Sequence, residues 1–290
     1  MSFASPVDTA THGEYRIHRA SGDTRPLYRF DGRVGSEEYP AEPGRYHLYA
    51  GWFCPWAQRV TAALAVAGIG EDLVSVSYVH GERDGRGWAF REPTGPDPVE
   101  GFTLLREAYE ATEPGYDGHV SVPALWDRRT RRIVSNNFAH LDTDLPTAFA
   151  APDAVQLYPE ELRGEIDDLE RWLLPDLNQA PPAARADTAE GLAARTKLAS
   201  TLAALDDRLA GAIFLVGNHI TIADLRVIVT LLRFDAQDNA DGLLGPALDG
   251  YPSLWAWARR VYQHPGVRAT TRFEAFTTPG ATLPDWDLLA

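Results

Sequence analysis

The sequence has very few of the side chains that usually carry covalent chemistry. Among its 290 residues there is one cysteine, Cys54, and Lys197 is the single lysine among 27 lysines and arginines. One cysteine can form neither an internal disulfide nor a metal site of several thiolates. One lysine argues against Schiff-base chemistry and leaves arginine with nearly all the fixed positive charge. Cys54 is therefore the natural candidate for a nucleophile.

Positive charge and long apolar runs are also scarce. The net charge of −14 argues against binding to nucleic acid or to anionic membranes, since both need a basic surface. No stretch approaches the roughly 20 apolar residues that span a bilayer, and the first residues lack the pattern of a secretion signal. The histidines show no HxH or HxxxH spacing, which leaves a metal site without support. We expect a cytoplasmic protein with small-molecule partners and no bound cofactor.

The order of predicted elements divides the chain into four segments. Residues 1–44 show no sustained period and are predicted to form an extended arm. Residues 45–150 contain the pattern βαβ, a long insert and ββα, in which Pro146 is expected to close the last helix. Residues 151–275 lack strand signals, and repeated leucines at helical spacing predict an all-α domain of about four or five helices. Residues 276–290 remain as a tail.

Cys54 stands where a predicted strand passes into a predicted helix. Pro55 follows at a helix position that needs no N–H. Free N–H groups and the helix dipole favour negative charge at such a position, where cysteines have pKa values of roughly 3.5 to 7.5. Ala57 occupies the place of a resolving cysteine, so Cys54 would act as a monothiol. The alternative is a buried, unreactive cysteine, which is common in proteins in general.

Several segments resemble the glutathionyl-hydroquinone reductases, the Xi class of glutathione transferases. They read GRYHLYAGWFCPWAQR, RGWAF, VSVPALWDRRTRRIVSN, FLVGNHITIADLRVIVTLLRFD and YPSLWAWARRVYQHPGV. The resemblance implies the glutathione-transferase fold, with a thioredoxin-like α/β N-terminal domain, an all-α C-terminal domain and a homodimer. It also implies thiol-dependent removal of glutathione from glutathionyl-hydroquinones, with Cys54 attacking the conjugate sulfur.

The same resemblance implies the residues that hold the thiol. Val122 and a cis Pro123 would hold its cysteinyl part, and Trp88 would pack against it. Each residue also has a structural explanation. Most X-Pro bonds are trans and merely begin an extended segment, and a tryptophan buries enough area to serve only as an anchor for the insert.

The sequence departs from the family at the far end of the thiol site. The family's Glu-Ser pair, which grips the γ-glutamyl head of glutathione, is here Asn137-Phe138. A neutral amide cannot replace a carboxylate for an ammonium group, and losing a charge-assisted hydrogen bond costs about 1.5–3 kcal/mol. We therefore expect weak glutathione binding and a different thiol cosubstrate, such as mycothiol. The arginine- and alanine-rich composition fits an actinobacterial source, in which mycothiol is usual.

Two further departures concern the second substrate. The segment after RFD, AQDNADGLLGPALDG, lacks the aromatic residue that lines the family's quinone pocket, and the C-terminal tail is short. Three functions stay open. The first is a reductase of thiol conjugates that uses glutathione or mycothiol, the second a transferase that adds a thiol to an electrophile, and the third a noncatalytic binding protein on this fold.

Overall fold

The computed structural model describes residues 2–17, 22 and 24–287. The chain divides into two compact units. Unit 1 comprises Met1–Leu64 and Gly68–Ala151, and unit 2 comprises Ala65–Ala67 and Pro152–Ala290. Some residues of the predicted arm (1, 18–21 and 23) and of the predicted tail (288–290) lie outside the described residues.

Unit 1 is built on a four-stranded mixed sheet in the order β2-β1-β3-β4. Its strands are β1 Tyr46–Ala50, β2 Val74–Tyr78, β3 Ala124–Asp127 and β4 Arg132–Ser135. Strand β1 pairs in parallel with β2 and antiparallel with β3, so that Leu48 lies opposite both Val76 and Leu125. Every residue of β1 is buried. The strand that leads to Cys54 is therefore central in the sheet, as its continuous apolar character predicts.

The helices of unit 1 in the described residues are α1 Thr9–His12, α2 Pro55–Val66, α3 Arg106–Thr112 and α4 Phe138–Phe149. The prediction that Pro146 closes the last helix was wrong, because α4 continues to Phe149 with Pro146 inside it. A proline removes only its own N–H, and its carbonyl still accepts the N–H of Ala150 at 3.2 Å. The last turn therefore forms despite the proline.

The N-terminal arm is tied into unit 1 by hydrogen bonds and ion pairs. The N–H of Ala4 donates to the carbonyl of Phe90 at 3.0 Å, and Arg29 pairs with Glu113 at 3.0 Å. Gly85 gives the arm room, because a Cβ there would lie 2.0 Å from the carbonyl oxygen of His12. The arm contains the one-turn helix α1, so it is not extended throughout as predicted.

The regular secondary structure of unit 2 in the described residues is helical. Its α-helices are α5 Arg163–Leu173, α6 Ala180–Ala184, α7 Ala189–Leu209, α8 Ile222–Arg233, α9 Pro252–Tyr262 and α10 Pro265–Ala269. They number six, against the four or five predicted, because α6 and α10 are too short to show a periodic pattern. Helix α8 is buried along its whole length and begins with a capping box of Thr221 and Asp224. Among the described helices, none has the length and hydropathy to cross a bilayer.

Candidate active site

Cys54 lies in the tight turn between β1 and α2. Its N–H donates to the carbonyl of Gly51, and its carbonyl accepts the N–H of Gln58, both at 3.0 Å. The side chain is only 7% exposed. The Sγ–H donates to the carbonyl of Val122 at 3.4 Å. The cysteine is thus held at the first turn of a helix, where backbone N–H groups favour negative charge on the sulfur.

The segment that faces the cysteine is fixed by polar contacts of its own. The Val122–Pro123 peptide bond is cis, as the resemblance implies. The hydroxyl of Tyr109 donates to the carbonyl of Ser121 at 2.7 Å and accepts the N–H of the same residue at 3.2 Å. Burial raises the pKa of Tyr109 to about 12, so this phenol stays protonated and able to donate. The carbonyl beside Cys54 therefore has a defined position.

Trp88, the predicted thiol-binding residue of the insert, packs beside the cysteine's neighbour. Its ring lies 4.3 Å from that of Phe53, and the guanidinium of Arg83 lies 4.2 Å from its ring centroid. Arg83 also lies 4.2 Å from the ring of Tyr15 in the arm. The insert and the arm thus form one stacked cluster next to Cys54, while the thiol-binding role of Trp88 stays a prediction.

Asn137 and Phe138 lie at the start of α4. The side chain of Asn137 caps the helix by accepting the N–H of Ala139 at 3.2 Å, and its amide donates to Asp31 at 3.1 Å. Phe138 is buried and stacks on Trp56 with ring centroids 4.4 Å apart. Both side chains therefore stabilise the start of α4, and their predicted part in thiol binding stays a prediction.

Several residues of the site were not predicted from the sequence. Tyr28 contacts Phe138 edge to face at 5.9 Å. Burial raises its pKa, and the proximity of Cys54 raises it further. Arg59 is fully buried, with its guanidinium 4.9 Å from the ring of Trp56. The arm residues gave no sequence signal, because they reach the site only through tertiary contacts.

This arrangement suits thiol chemistry on an aromatic ligand. A buried sulfur lies at a helix N-terminus opposite the carbonyl of Val122, and the rings of Phe53, Trp56 and Trp88 pack against the hydrophobic cluster that contains it. The sheet order and the helical second unit define the class of protein as one with the glutathione-transferase fold.

Comparisons with known proteins agree with this class. The family model for the C-terminal domain of glutathione S-transferases matches residues 128–260. Glutathionyl-hydroquinone reductase PcpF of Sphingobium chlorophenolicum is 39% identical over 204 residues, which are 68% of this chain and 65% of that relative. Glutathionyl-hydroquinone reductase YqjG of Escherichia coli is 33% identical over 252 residues, which are 84% of this chain and 76% of that relative.

Solved structures give the same result. The glutathione-bound structure of YqjG has a TM-score of 0.83 at 29% identity and covers 90% of this chain and 94% of that one. The glutathione S-transferase Xi of Phanerochaete chrysosporium has a TM-score of 0.80 at 31% identity, covering 87% and 90%. The chain therefore belongs to the glutathionyl-hydroquinone reductases, the Xi class of glutathione transferases, which is a family of enzymes. The resemblance and the predicted fold class are confirmed.

Proposed function

We propose that this protein is a thiol-dependent reductase in which the Cys54 thiolate attacks the sulfur of an aromatic thiol conjugate. Attack forms a disulfide between Cys54 and the thiol, while the carbon–sulfur bond breaks. The departing ring carbon keeps the electron pair and takes up a proton, which gives a hydroquinone. A second thiol then cleaves the mixed disulfide and restores Cys54. The two electrons come from the sulfur of the conjugate and the sulfur of the second thiol, which leave together as a disulfide.

The observation that carries this proposal is the position of Cys54. Its sulfur lies at the first turn of α2, 3.4 Å from the carbonyl of Val122. A thiol ligand bound in extended form could pair its backbone with the segment at Val122, just before β3, which would bring its sulfur to Cys54. The neighbouring rings of Phe53 and Trp56 give an aromatic leaving group surfaces on which to stack. Val122 and Pro123 are therefore proposed to hold the cysteinyl part of the thiol.

The thiol cosubstrate is proposed to be glutathione, the ligand named for the solved relative from E. coli. Mycothiol remains the competing cosubstrate, because Asn137 replaces the family's carboxylate. A homodimer located in the cytoplasm completes the proposal, and light scattering of the purified protein tests the dimer.

Replacement of Cys54 tests the reaction. We expect Cys54→Ser to lower the release of hydroquinone from a glutathionyl-hydroquinone by about 10³-fold or more, because a hydroxyl is a far weaker nucleophile than a thiolate at neutral pH. The same variant is assayed for conjugation of glutathione to an electrophile. Full hydroquinone release by Cys54→Ser would refute the proposal. If neither the unmodified protein nor Cys54→Ser released hydroquinone but both still conjugated glutathione, the transferase function would be favoured.

A further inference from the structure

Arg83 presents a positive charge that has no carboxylate partner in the described residues. Its guanidinium lies between the rings of Tyr15 and Trp88, at 4.2 Å from each centroid. The side chain is half-buried, and this burial lowers its pKa from the usual arginine range. Both contacts are with ring faces, whereas the N–H donors of a guanidinium point outward along the edge of its plane. The edge therefore suits a carboxylate ligand.

The position of Arg83 is fixed by the arm. The hydroxyl of Tyr15 accepts the N–H of Val120 and contacts Nδ1 of His119, both at 3.0 Å. Burial lowers the pKa of His119 to about 4, with a smaller effect from Arg83, so the imidazole is neutral at pH 7 and its Nδ1 can accept the phenol proton. Tyr15 is thereby tied to the segment that leads to Val122. The ring against which Arg83 packs therefore has a defined position.

Asp31 presents a negative charge beside Asn137, at the start of α4. Its Oδ1 accepts the amide N–H of Asn137 at 3.1 Å and contacts Nδ1 of His140 at 2.6 Å. The carboxylate is 51% exposed. A backbone bridge to Ser135 fixes the chain at Asp31. The arm therefore brings a carboxylate to Asn137, the position at which the sequence alone predicts that negative charge is lost.

Arg83 and Asp31 are each connected to a neighbour of Cys54 by a short series of side-chain contacts. One series runs from Phe53 through Trp88 to Arg83. The other runs from Trp56 through Phe138, the residue next to Asn137, and from Asn137 to Asp31. A cation and an anion are thus each connected, through a few contacts, to a residue that flanks the reactive sulfur in the chain.

We infer that Asp31 and Arg83 are specificity residues that bind the ammonium group and the glycine carboxylate of glutathione. In that tripeptide the sulfur lies between a γ-glutamyl group, which carries an ammonium and an α-carboxylate, and a glycine, which carries a second carboxylate. Mycothiol has an acetylated cysteine nitrogen and no carboxylate, so it offers neither group. The inference rests on the proposed function and selects glutathione as its thiol. It also revises the expectation of weak glutathione binding, because that expectation rested on the missing carboxylate at Asn137 and did not include the carboxylate of Asp31.

Calorimetry with three ligands tests each charge separately. Binding is measured on protein that also carries Cys54→Ser, so that no disulfide forms and turnover plays no part. The ligands are glutathione, its glycine ethyl ester and its deaminated analogue glutaryl-cysteinyl-glycine. We expect Asp31→Asn to weaken glutathione about fivefold to tenfold and the deaminated analogue less than about twofold. Arg83→Gln is expected to weaken glutathione by a similar factor and the ethyl ester less than about twofold.

Matched variants control for general changes in surface charge. Asp72→Asn and Arg132→Gln remove one exposed charge of each sign elsewhere in unit 1, and they should leave all three affinities unchanged. Asp31→Asn would overturn the inference if it weakened glutathione and the deaminated analogue equally, and Arg83→Gln would do so if it weakened glutathione and the ethyl ester equally. Mycothiol is titrated as a fourth ligand, and tighter binding of mycothiol than of glutathione would also overturn the inference. Because binding is read without turnover, absence of hydroquinone release would refute the proposed function and leave this result standing.

Discussion

His47 makes unit 1 sensitive to acid. The ring lies in β1 with no exposed surface, where Nδ1 contacts the hydroxyl of Ser75 at 2.7 Å and Nε2 that of Ser77 at 2.8 Å. Burial, with a smaller effect from Arg128, lowers its pKa to about 3 from 6.5. The unfolded chain therefore binds this proton at a higher pH than the folded chain does. Stability from the neutral ring is complete above pH 6.5 and is lost as the pH falls towards 3.

The size of the effect follows from the linkage between protonation and folding. Each pH unit between the two pKa values costs about 1.36 kcal/mol per proton, so a fall from pH 6.5 to 4.5 removes about 2–3 kcal/mol through His47. His47→Gln keeps an amide that can bond to both serines and does not titrate. We expect the free energy of unfolding, measured by urea denaturation, to fall about 2–3 kcal/mol less in this variant between pH 7 and 4.5. Parallel curves for the two proteins would refute this reasoning.

Substitutions at three other positions test the packing in unit 1 and in unit 2. Arg45→Met should destabilise unit 1 by about 3–5 kcal/mol in urea denaturation, because it leaves the carboxylate of Asp127 buried without its bidentate ion pair. A loss of stability below about 1 kcal/mol would contradict this. Phe138→Ala should cost about 3–5 kcal/mol and Phe138→Leu less than about 2, so equal losses in the two variants would rule out a role for its ring against Trp56. Asp224→Asn should lower the thermal midpoint of unit 2, since an amide cannot accept all the N–H groups that now point at the carboxylate; an unchanged midpoint in calorimetry would count against this.

The sequence was sufficient to predict the fold where local patterns are strong. Continuous apolar character identified β1, and the cysteine–proline step identified the start of α2. Leu198 and Leu202 marked the buried face of α7, and both are buried. These signals come from residues close in the chain, which is why periodicity and turn chemistry could reveal them.

The rest of the site could not be predicted because it is assembled over long sequence distances. Asp31 is 106 residues from Asn137, and Tyr15 is 104 residues from His119. The arm that carries both has no periodic pattern, so neither residue could be assigned to the site from the sequence. The direction of the side chain of His47 was equally open, since alternation in a strand defines two faces without saying what covers each.

Trapping of the covalent intermediate tests the central claim most directly. The protein is mixed with a glutathionyl-hydroquinone in the absence of free thiol, and intact-protein mass spectrometry with peptide mapping follows. The account predicts one glutathione per chain, bound to Cys54 as a disulfide that a reductant removes, together with one equivalent of released hydroquinone. An unmodified Cys54 after hydroquinone has been released would contradict it.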